Sequence, residues 1–542
     1  MTFARPLLLS LALAVLPVAA PATAADTTAD FQRRLEGEGG IVRVRDHDVD
    51  LAPLRDFYRR RGYRLAWSGD GAEGRGDRAL LDLQAVAMAE GLDPEAYGVP
   101  ATGSDIDRDI LISDALTRFG RALATGRLPP SRAYGGLGPE TRPDFDAAAF
   151  LTALAAGQAL GAAAESLPPA FVGYLRLRSA LARYRQIVRD GGWAAIPDGP
   201  AIKAGGHDDR VILVRKRLIA TGDLAAAHDK GRTLDAPLAE ALKRFQRRHG
   251  LDADGAVGRL TLAALNVPAE QRMARILVNL ERWRWMPRRL DPVHLVANLP
   301  AARLELVENG EVTMAMRTVV GDVKHPTPGL TTTMSSVVLN PPWTIPPSIA
   351  SREILPKLRK DPNYLAANNI RILDAFPEDS RQADGQGMDW TTYRSKKFPY
   401  RLRQQPGPDN ALGYVKFNLK DSDDIYLHDT PSRSAFSRSY RALSHGCVRV
   451  ERPVDLAEAL LGDEWRDKVA DTIADAETRT LRLEREVRVY LTYFTAWADG
   501  DGVVHFRDDI YGHDARLQAA LKRARPAAKP PQVATDEVLS PL

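Results

Sequence analysis

Two runs of residues, Val415-Lys416-Phe417-Asn418-Leu419 and Ile425-Tyr426-Leu427-His428, alternate apolar and polar side chains. A period of two predicts β-strands that bury one face and leave the other accessible. The polar turn at residues 420–424 predicts that the two strands pair as a hairpin. Because side chains two positions apart lie on one face of a strand, we expect Tyr426 and His428 to lie together, opposite the apolar layer.

The same period of two recurs through the second half of the chain. Residues 293–298 form one strand candidate, and residues 303–306 lead through the dipeptide Asn309-Gly310 to another at 312–320. An Asn-Gly pair is typical of a tight two-residue hairpin. Further strand candidates lie at residues 335–340, 413–419, 424–428 and 487–494. We therefore predict a mostly β domain at residues 290–497.

An insertion rich in Pro, Lys, Arg and Asp interrupts this domain at residues 344–407. A helical patch occupies residues 348–359 within it. Long insertions between strands usually form lids or binding loops. We therefore predict a capping lid here.

The chain before this domain follows a helical pattern. Residues 30–205 are rich in Ala, Leu and Arg, with apolar residues at helical spacing, which predicts a helical scaffold domain. Residues 206–268 form a second helical unit, in which an ordinary helical hairpin is the simplest alternative to a binding module. One apolar helical face is formed by Leu238, Ala241, Leu242 and Phe245. The predicted fold class is therefore multidomain α+β.

Composition and charge give no indication of a nucleic-acid partner. The chain has 542 residues, one cysteine and a formal net charge of +4. This length suffices for about three domains with apolar cores and no internal disulfide. Basic residues are mixed with acidic ones and match no nucleic-acid-binding motif, so we expect no nucleic-acid partner.

Both ends of the chain have distinctive composition. Residues 1–24 follow the pattern of a cleaved secretory signal, ending in the small residues Ala22-Thr23-Ala24; a retained membrane anchor is the alternative. No later stretch has a transmembrane pattern, so no integral membrane segment is expected after signal removal. Residues 498–524 form a C-terminal segment, and the proline-rich tail at 525–542 is predicted to be disordered.

The only cysteine lies in the run Ser444-His445-Gly446-Cys447. An unpaired thiol in an exported chain, with a histidine beside it, indicates a nucleophile, although a lone cysteine can also serve as a small buried apolar residue. His428, nineteen residues earlier, is the predicted general base, and the two would form a thiolate–imidazolium pair. His445 competes for this role, since in an extended segment it would project on the same side as Cys447.

Two further residues have a chemical reason to be near the thiol. Gly446 has no Cβ, so the amides around it could approach a substrate and stabilise an oxyanion. Asp429 follows the predicted base, and its backbone carbonyl or its carboxylate could fix the imidazole tautomer.

The runs Ile425–Pro431 and Arg441–Val450 together resemble the signature of the L,D-transpeptidases. That family has a β-rich catalytic fold and cross-links peptidoglycan stem peptides through a cysteine thioester. The whole chain resembles the large Gram-negative members, which have a helical scaffold, a three-helix peptidoglycan-binding module and a capping insertion. Many relatives have glycine where this chain has Asp429, so the resemblance supports only a backbone role there.

The resemblance implies a role for each matching position. Cys447 would be the nucleophile and His428 the base. Arg449 would brace the site or contact substrate, unless it serves as a structural ion-pair former, and Trp343 would be a pocket aromatic or part of the core. The other implied site residues are Ser444, His445 and Gly446, which would line the site, and the pocket aromatic Tyr426.

The resemblance also implies a reaction and a location. In the periplasm, the enzyme would release the terminal D-amino acid of a donor tetrapeptide and join the remaining stem to an acceptor amine. Its partners would be peptidoglycan stem peptides and glycan, with other wall synthases, and carbapenems would acylate the thiol. Water or a lipoprotein amine as acceptor would make it an L,D-carboxypeptidase or an anchoring enzyme, and a non-catalytic wall-binding scaffold is the remaining alternative. The other histidines lack metal-ligand spacing, so we expect no metal and no cofactor.

Overall fold

The computed structural model describes residues 24–37, 39–68, 74–131, 144–373, 385–394, 398–422 and 425–524. The predicted signal, apart from Ala24, and the predicted disordered tail lie outside these residues. The chain separates into two compact units, one of Met1–Gln84, Tyr97–Gly120 and Asp146–Ala163, the other of Ala85–Ala96, Arg121–Phe145 and Ala164–Leu542. No helix within the described ranges is long and apolar enough to cross a bilayer.

The chain before residue 290 is mainly helical, as its apolar spacing predicts. Its helices are α1 (Ala24–Glu36), α2 (Ala52–Arg60), α3 (Arg75–Ala89), α4 (Asp105–Thr125), α5 (Ala147–Ala155), α6 (Leu160–Glu165), α7 (Val172–Arg189), α8 (Arg210–Ala220), α9 (Ala236–Arg248), α10 (Arg259–Leu265) and α11 (Ala269–Arg284). One hairpin that the sequence pattern did not predict interrupts them. Its strands β1 (Ile41–Val44) and β2 (His47–Asp50) have only four residues each, too few for a clear period of two.

A buried carboxylate organises the first unit. Asp109 is fully buried and accepts hydrogen bonds from the backbone amides of Ala66, Trp67 and Ser68, at 2.7–3.0 Å. The hydroxyl of Tyr58 donates to the same carboxylate at 2.6 Å. Burial nevertheless raises the pKa of Asp109, because these donors only partly replace its hydration.

The module at residues 206–268 is built from α8, α9 and α10. Asp235 caps the start of α9 by accepting a hydrogen bond from the Leu238 amide at 3.1 Å. Gly250 follows the helix with a φ of 70°, a left-handed conformation that glycine adopts without strain. The predicted apolar face is fully buried within the module core, which includes Leu218, Leu238, Leu242, Phe245 and Leu265.

The rest of the chain supplies the remaining strands and helices. The strands are β3 (Val293–Asn298), β4 (Arg303–Glu308), β5 (Glu311–Gly321), β6 (Leu330–Leu339), β7 (Trp343–Ile345), β8 (Ile370–Ile372), β9 (Leu402–Gln404), β10 (Val415–Leu419), β11 (Leu427–His428), β12 (Ala442–Ser444), β13 (Val448–Val450), β14 (Arg479–Thr492), β15 (Ala496–Ala498) and β16 (Val504–Phe506). The helices are α12 (Pro347–Ile349), α13 (Leu355–Leu358), α14 (Tyr364–Ala367), α15 (Pro453–Leu461), α16 (Lys468–Ala474) and α17 (His513–Arg523).

Nine of these strands form one sheet in the order β12-β5-β13-β11-β10-β6-β14-β3-β4. Strand β4 also pairs with β5, which closes the sheet on itself. The predicted turn Asn309-Gly310 joins these two strands, and its φ values of 53° and 88° are those of a tight hairpin. Apolar side chains of alternate positions, with Leu456 and Ala457 of α15, fill the core.

The insertion at residues 344–407 has a fold of its own over its described part. Strands β7, β9 and β8 form a separate three-stranded sheet, and the predicted helical patch forms α12, a π-helical turn at Ala350–Ile354, and α13. Its core includes Ile354, Leu355, Leu358, Leu365 and Trp390. Residues 374–384 and 395–397 of the insertion lie outside the described ranges.

The C-terminal segment packs against a helix that precedes the sheet by sequence. Asp514 on α17 accepts from Nη1 of Arg282 on α11 at 2.5 Å, and both side chains are almost completely buried. Thr495 donates to the same carboxylate at 2.8 Å. Residues 498–524 therefore belong to the folded second unit.

Replacing Asp514 with alanine should lower the free energy of unfolding by about 3–5 kcal/mol, because the charge of Arg282 would stay buried without its partner. Urea denaturation followed by circular dichroism measures this loss. The exposed Asp508 provides the matched control, and Asp508→Ala should change stability by less than about 0.5 kcal/mol. Equal effects of the two variants would contradict the buried pair's importance.

Candidate active site

Strand register brings the predicted base and nucleophile to adjacent strands. Strand β10 pairs antiparallel with β11, with Lys416 opposite His428. Strand β11 pairs parallel with β13, with His428 opposite Arg449. Cys447 immediately precedes β13, where the Val448 amide donates to the Tyr426 carbonyl at 3.1 Å. A cysteine nineteen residues away in sequence is thus one strand away in space.

A cavity of about 660 Å³ lies against this part of the sheet. Seven of the predicted site residues line it: Trp343, Tyr426, His428, Ser444, His445, Cys447 and Arg449. Gly446 and Asp429 are not among its lining residues. The insertion contributes a wall that includes Pro346, Ser348 and Glu353.

The loop that carries Cys447 is held by short-range hydrogen bonds. Ser444 donates its hydroxyl to the Cys447 carbonyl at 2.6 Å and accepts from the Gly446 amide at 3.3 Å. The buried Thr327 donates to the Gly446 carbonyl at 2.7 Å. Gly446 has a φ of 115°, which a residue with a Cβ rarely adopts. Its amide is already engaged by Ser444, and its backbone conformation explains the need for glycine.

His428 is almost completely buried, and burial lowers its pKa to about 3. The positive charges of Arg449 and Lys416 lower the pKa further, whereas the backbone carbonyls of Asp429 and Leu412 partly oppose this shift. Both carbonyls therefore lie close to the ring, but within the described part of the chain the buried Nδ1 has no partner that meets hydrogen-bond geometry. The imidazole is therefore neutral at physiological pH and able to accept a proton.

The thiol of Cys447 is partly exposed, and the burial of its surroundings raises its pKa. Hydrogen bonding to Tyr426 and the charges of Lys416 and Arg449 oppose this shift without reversing it. A raised thiol pKa and a lowered imidazole pKa both favour the neutral pair. Burial therefore works against the thiolate–imidazolium pair expected from sequence, because it penalises both charged forms.

The carboxylate of Asp429 has other partners. It accepts from the Tyr414 amide at 3.0 Å and from Nη1 of Arg433 at 3.0 Å. Of the two groups that sequence reasoning considered at this position, only the backbone carbonyl acts on the ring of His428.

His445 lies on the insertion side of the cavity. Its Nε2 is 2.7 Å from Oε1 of Glu353, and its ring stacks on that of His325 with centroids 4.5 Å apart. Nδ1 of His325 is 3.1 Å from Oδ1 of Asp322. Sequence reasoning missed Glu353, His325 and Thr327, because all three lie more than ninety residues before Cys447 and no motif marks them.

No group of three or more His, Cys, Asp or Glu residues in the described part of the chain is arranged to hold a metal ion. The charged groups around the thiol are instead Lys416, Arg449 and Glu353, all of which line the cavity.

Family comparisons agree with this arrangement. Residues 292–480 match the L,D-transpeptidase catalytic domain family, YkuD. The matched residues include the cavity-lining residues Trp343, His428 and Cys447. Residues 52–181 match a scaffold domain, and residues 207–265 match a family described as "Putative peptidoglycan binding domain". The L,D-transpeptidase domain therefore follows a helical region that contains a peptidoglycan-binding domain.

Similar proteins include the "Putative L,D-transpeptidase" of Haemophilus influenzae, 38% identical over 248 residues. The match covers 45% of this chain and 49% of that protein, so the chain spans about half the length of the curated relative it matches.

Solved structures with similarity include an L,D-transpeptidase from Mycobacterium smegmatis (16% identity, TM-score 0.17, 37% of this chain and 58% of that chain). Another is the L,D-transpeptidase of Stackebrandtia nassauensis (14% identity, TM-score 0.21, 55% and 97%).

Alkylation of Cys447 by iodoacetamide should follow a pH profile whose midpoint lies above the ~8.5 of an unperturbed thiol. Burial disfavours the thiolate, so more hydroxide is needed to form it. Arg449→Gln should move the midpoint higher, because it removes a charge that favours the thiolate. The exposed Arg438 supplies the control, Arg438→Gln. A midpoint below that of a free thiol would instead indicate a preformed thiolate.

Proposed function

We propose that the protein is a peptidoglycan L,D-transpeptidase that joins stem peptides through a thioester on Cys447. One observation carries this proposal: the only cysteine of the chain lines a cavity beside a buried, neutral imidazole. The L,D-transpeptidase family match supports the reaction class. The peptidoglycan-binding match at residues 207–265 supports peptidoglycan as the partner.

In the first step, Sγ of Cys447 attacks the carbonyl that precedes the terminal D-residue of a donor tetrapeptide. His428 takes the thiol proton as the C–S bond forms, and then gives it to the departing amine as the C–N bond breaks. Both pKa shifts favour a neutral pair before attack, so charge would develop as the C–S bond forms. Lys416 and Arg449 both lie near the reacting groups and favour the negative charge that develops.

In the second step, an acceptor amine from a neighbouring stem attacks the thioester and displaces the thiolate, forming the cross-link. Water competes for the same carbonyl. The insertion forms one wall of the cavity through Pro346 and Ser348, next to Trp343, and this wall would limit the access of water. Tyr426 and Trp343 would contact the stem peptide.

Two segments outside the catalytic domain would determine where the protein acts. We place the protein in the periplasm, exported by the segment at residues 1–24, with the module at residues 206–268 bound to the wall. Glycan, stem peptides and other wall synthases are the partners this arrangement implies.

Incubation with a disaccharide-tetrapeptide should give a covalent adduct on Cys447 and then a cross-linked dimer, both measurable by intact-protein and product mass spectrometry. Cys447→Ala should give no adduct. His428→Ala should slow adduct formation by about 10²–10⁴-fold, because the general base is lost. His47→Gln, in strand β2 and outside both the cavity and the binding module, is the matched control and should leave the rate unchanged.

Each alternative has its own result in this experiment. An adduct that yields only shortened tripeptide would indicate an L,D-carboxypeptidase. Cross-linking to a lipoprotein amine alone would indicate an anchoring enzyme. Co-sedimentation with insoluble peptidoglycan, without any adduct, would indicate a non-catalytic wall-binding scaffold and reject the mechanism.

A carbapenem such as imipenem should add its mass once to the protein, because its strained ring presents an acyl electrophile to the same thiol. Adduct formation measured by mass spectrometry should disappear in Cys447→Ala and slow in His428→Ala. An adduct of equal yield in Cys447→Ala would place the acylation elsewhere and contradict the assignment.

A further inference from the structure

The cavity around Cys447 is electrostatically divided. Lys416 and Arg449 lie on the sheet side, next to His428. Glu353 lies on the insertion side, and among the described residues that line the cavity it is the only carboxylate. The two substrates of the proposed reaction differ in charge at the atoms that must be bound: a donor stem ends in a carboxylate, whereas an acceptor presents an ammonium.

Glu353 is presented to the cavity by an unusual element. It lies in the π-helical turn Ala350–Ile354, between α12 and α13. Ile354 of the turn and Leu355 and Leu358 of α13 are buried in the insertion core and anchor the turn there. Single π-helical turns occur often at functional sites. The side chain of Glu353 remains 42% exposed, so its carboxylate is accessible to a ligand.

The partner of Glu353 is a base rather than a permanent cation. Oε1 of Glu353 is 2.7 Å from Nε2 of His445, and the side chain of His445 is 39% exposed, so the cavity can reach both groups. The ring is held from its other side by stacking on His325, which is itself oriented by Asp322. A carboxylate paired with an accessible imidazole can bind an ammonium and accept its proton.

We propose that Glu353 and His445 form the subsite for the acceptor ammonium, separate from the Cys447–His428 pair that forms the thioester. This inference rests on the proposed function and specifies how its second step selects an amine over water. A primary alkylammonium has a pKa near ~10.4, so it arrives charged and must lose a proton before it can attack.

Two protons leave the acceptor nitrogen during this step. The acceptor ammonium binds Glu353 and gives one proton to Nδ1 of His445, because Nε2–H of that ring already donates to the carboxylate. The resulting imidazolium is stabilised by the same carboxylate. The free amine forms the new C–N bond as the C–S bond breaks. The second proton on nitrogen passes through His428 to the departing thiolate, which restores the neutral thiol and imidazole. His445 then releases its proton to solvent.

The test separates acylation from acceptor capture. Purified protein and its Glu353→Gln variant are incubated with disaccharide-tetrapeptide as both donor and acceptor, and adduct, dimer and hydrolysed tripeptide are followed by mass spectrometry. Glu353→Gln should form the adduct within about twofold of the parent rate, while the ratio of dimer to tripeptide falls about tenfold or more, because a charge-assisted contact to the ammonium is lost. Glu484→Gln, the same change at an exposed position of β14, should leave this ratio unchanged.

A second acceptor distinguishes ammonium recognition from a structural effect. Hydroxylamine is uncharged at neutral pH, so its capture of the thioester should be nearly equal in Glu353→Gln and in the parent. Equal loss of dimer and of hydroxylamine capture, slower adduct formation, or an unchanged ratio of dimer to tripeptide would each overturn the inference. So would a parent protein that acylates but yields tripeptide alone. A parent protein that forms no adduct would reject the proposed function itself, which is a separate result.

Discussion

The register of two short strand pairings, β10 with β11 and β11 with β13, sets the chemistry of this site. Lys416, His428 and Arg449 are direct neighbours across β10, β11 and β13, and Cys447 adjoins the last of these strands. A shift of one residue in any pairing would turn these side chains into the apolar core. Strand β11 contributes only two residues to the sheet. Its register depends on the apolar neighbours Phe417, Leu427 and Val448, which are fully buried on the opposite face.

This register also explains the charge state of the resting site. The same two cations, Lys416 and Arg449, act on both reacting groups, lowering the pKa of the thiol and of the imidazole. They favour a thiolate but oppose an imidazolium, and burial opposes both charged forms. A neutral pair is the consequence.

The order of segments along the chain differs from their order in space. Helix α11 precedes the catalytic domain, yet its Arg282 pairs with Asp514 after that domain, 232 residues later. The insertion, in contrast, has its own sheet and core, and contributes to the site through side chains such as Glu353. The two segments that flank the catalytic domain are thus joined by a long-range buried ion pair, whereas the insertion folds locally.

Local pattern alone determined much of this protein. The alternation in residues 415–428 predicted a strand pair with His428 and Lys416 on one face, and the structure has this pair. The Asn309-Gly310 turn was also found as predicted. The resemblance of the SHGC run to the L,D-transpeptidases agrees with the family match at residues 292–480. These features depend on neighbours a few residues apart. The short β1–β2 hairpin did not follow from sequence, because strands of four residues are too short for a clear period of two. The charge balance of the site and the pairing of His445 with Glu353 did not follow either. Hydration and long-range contact decide them, and both arise only when segments separated by ninety or more residues pack together.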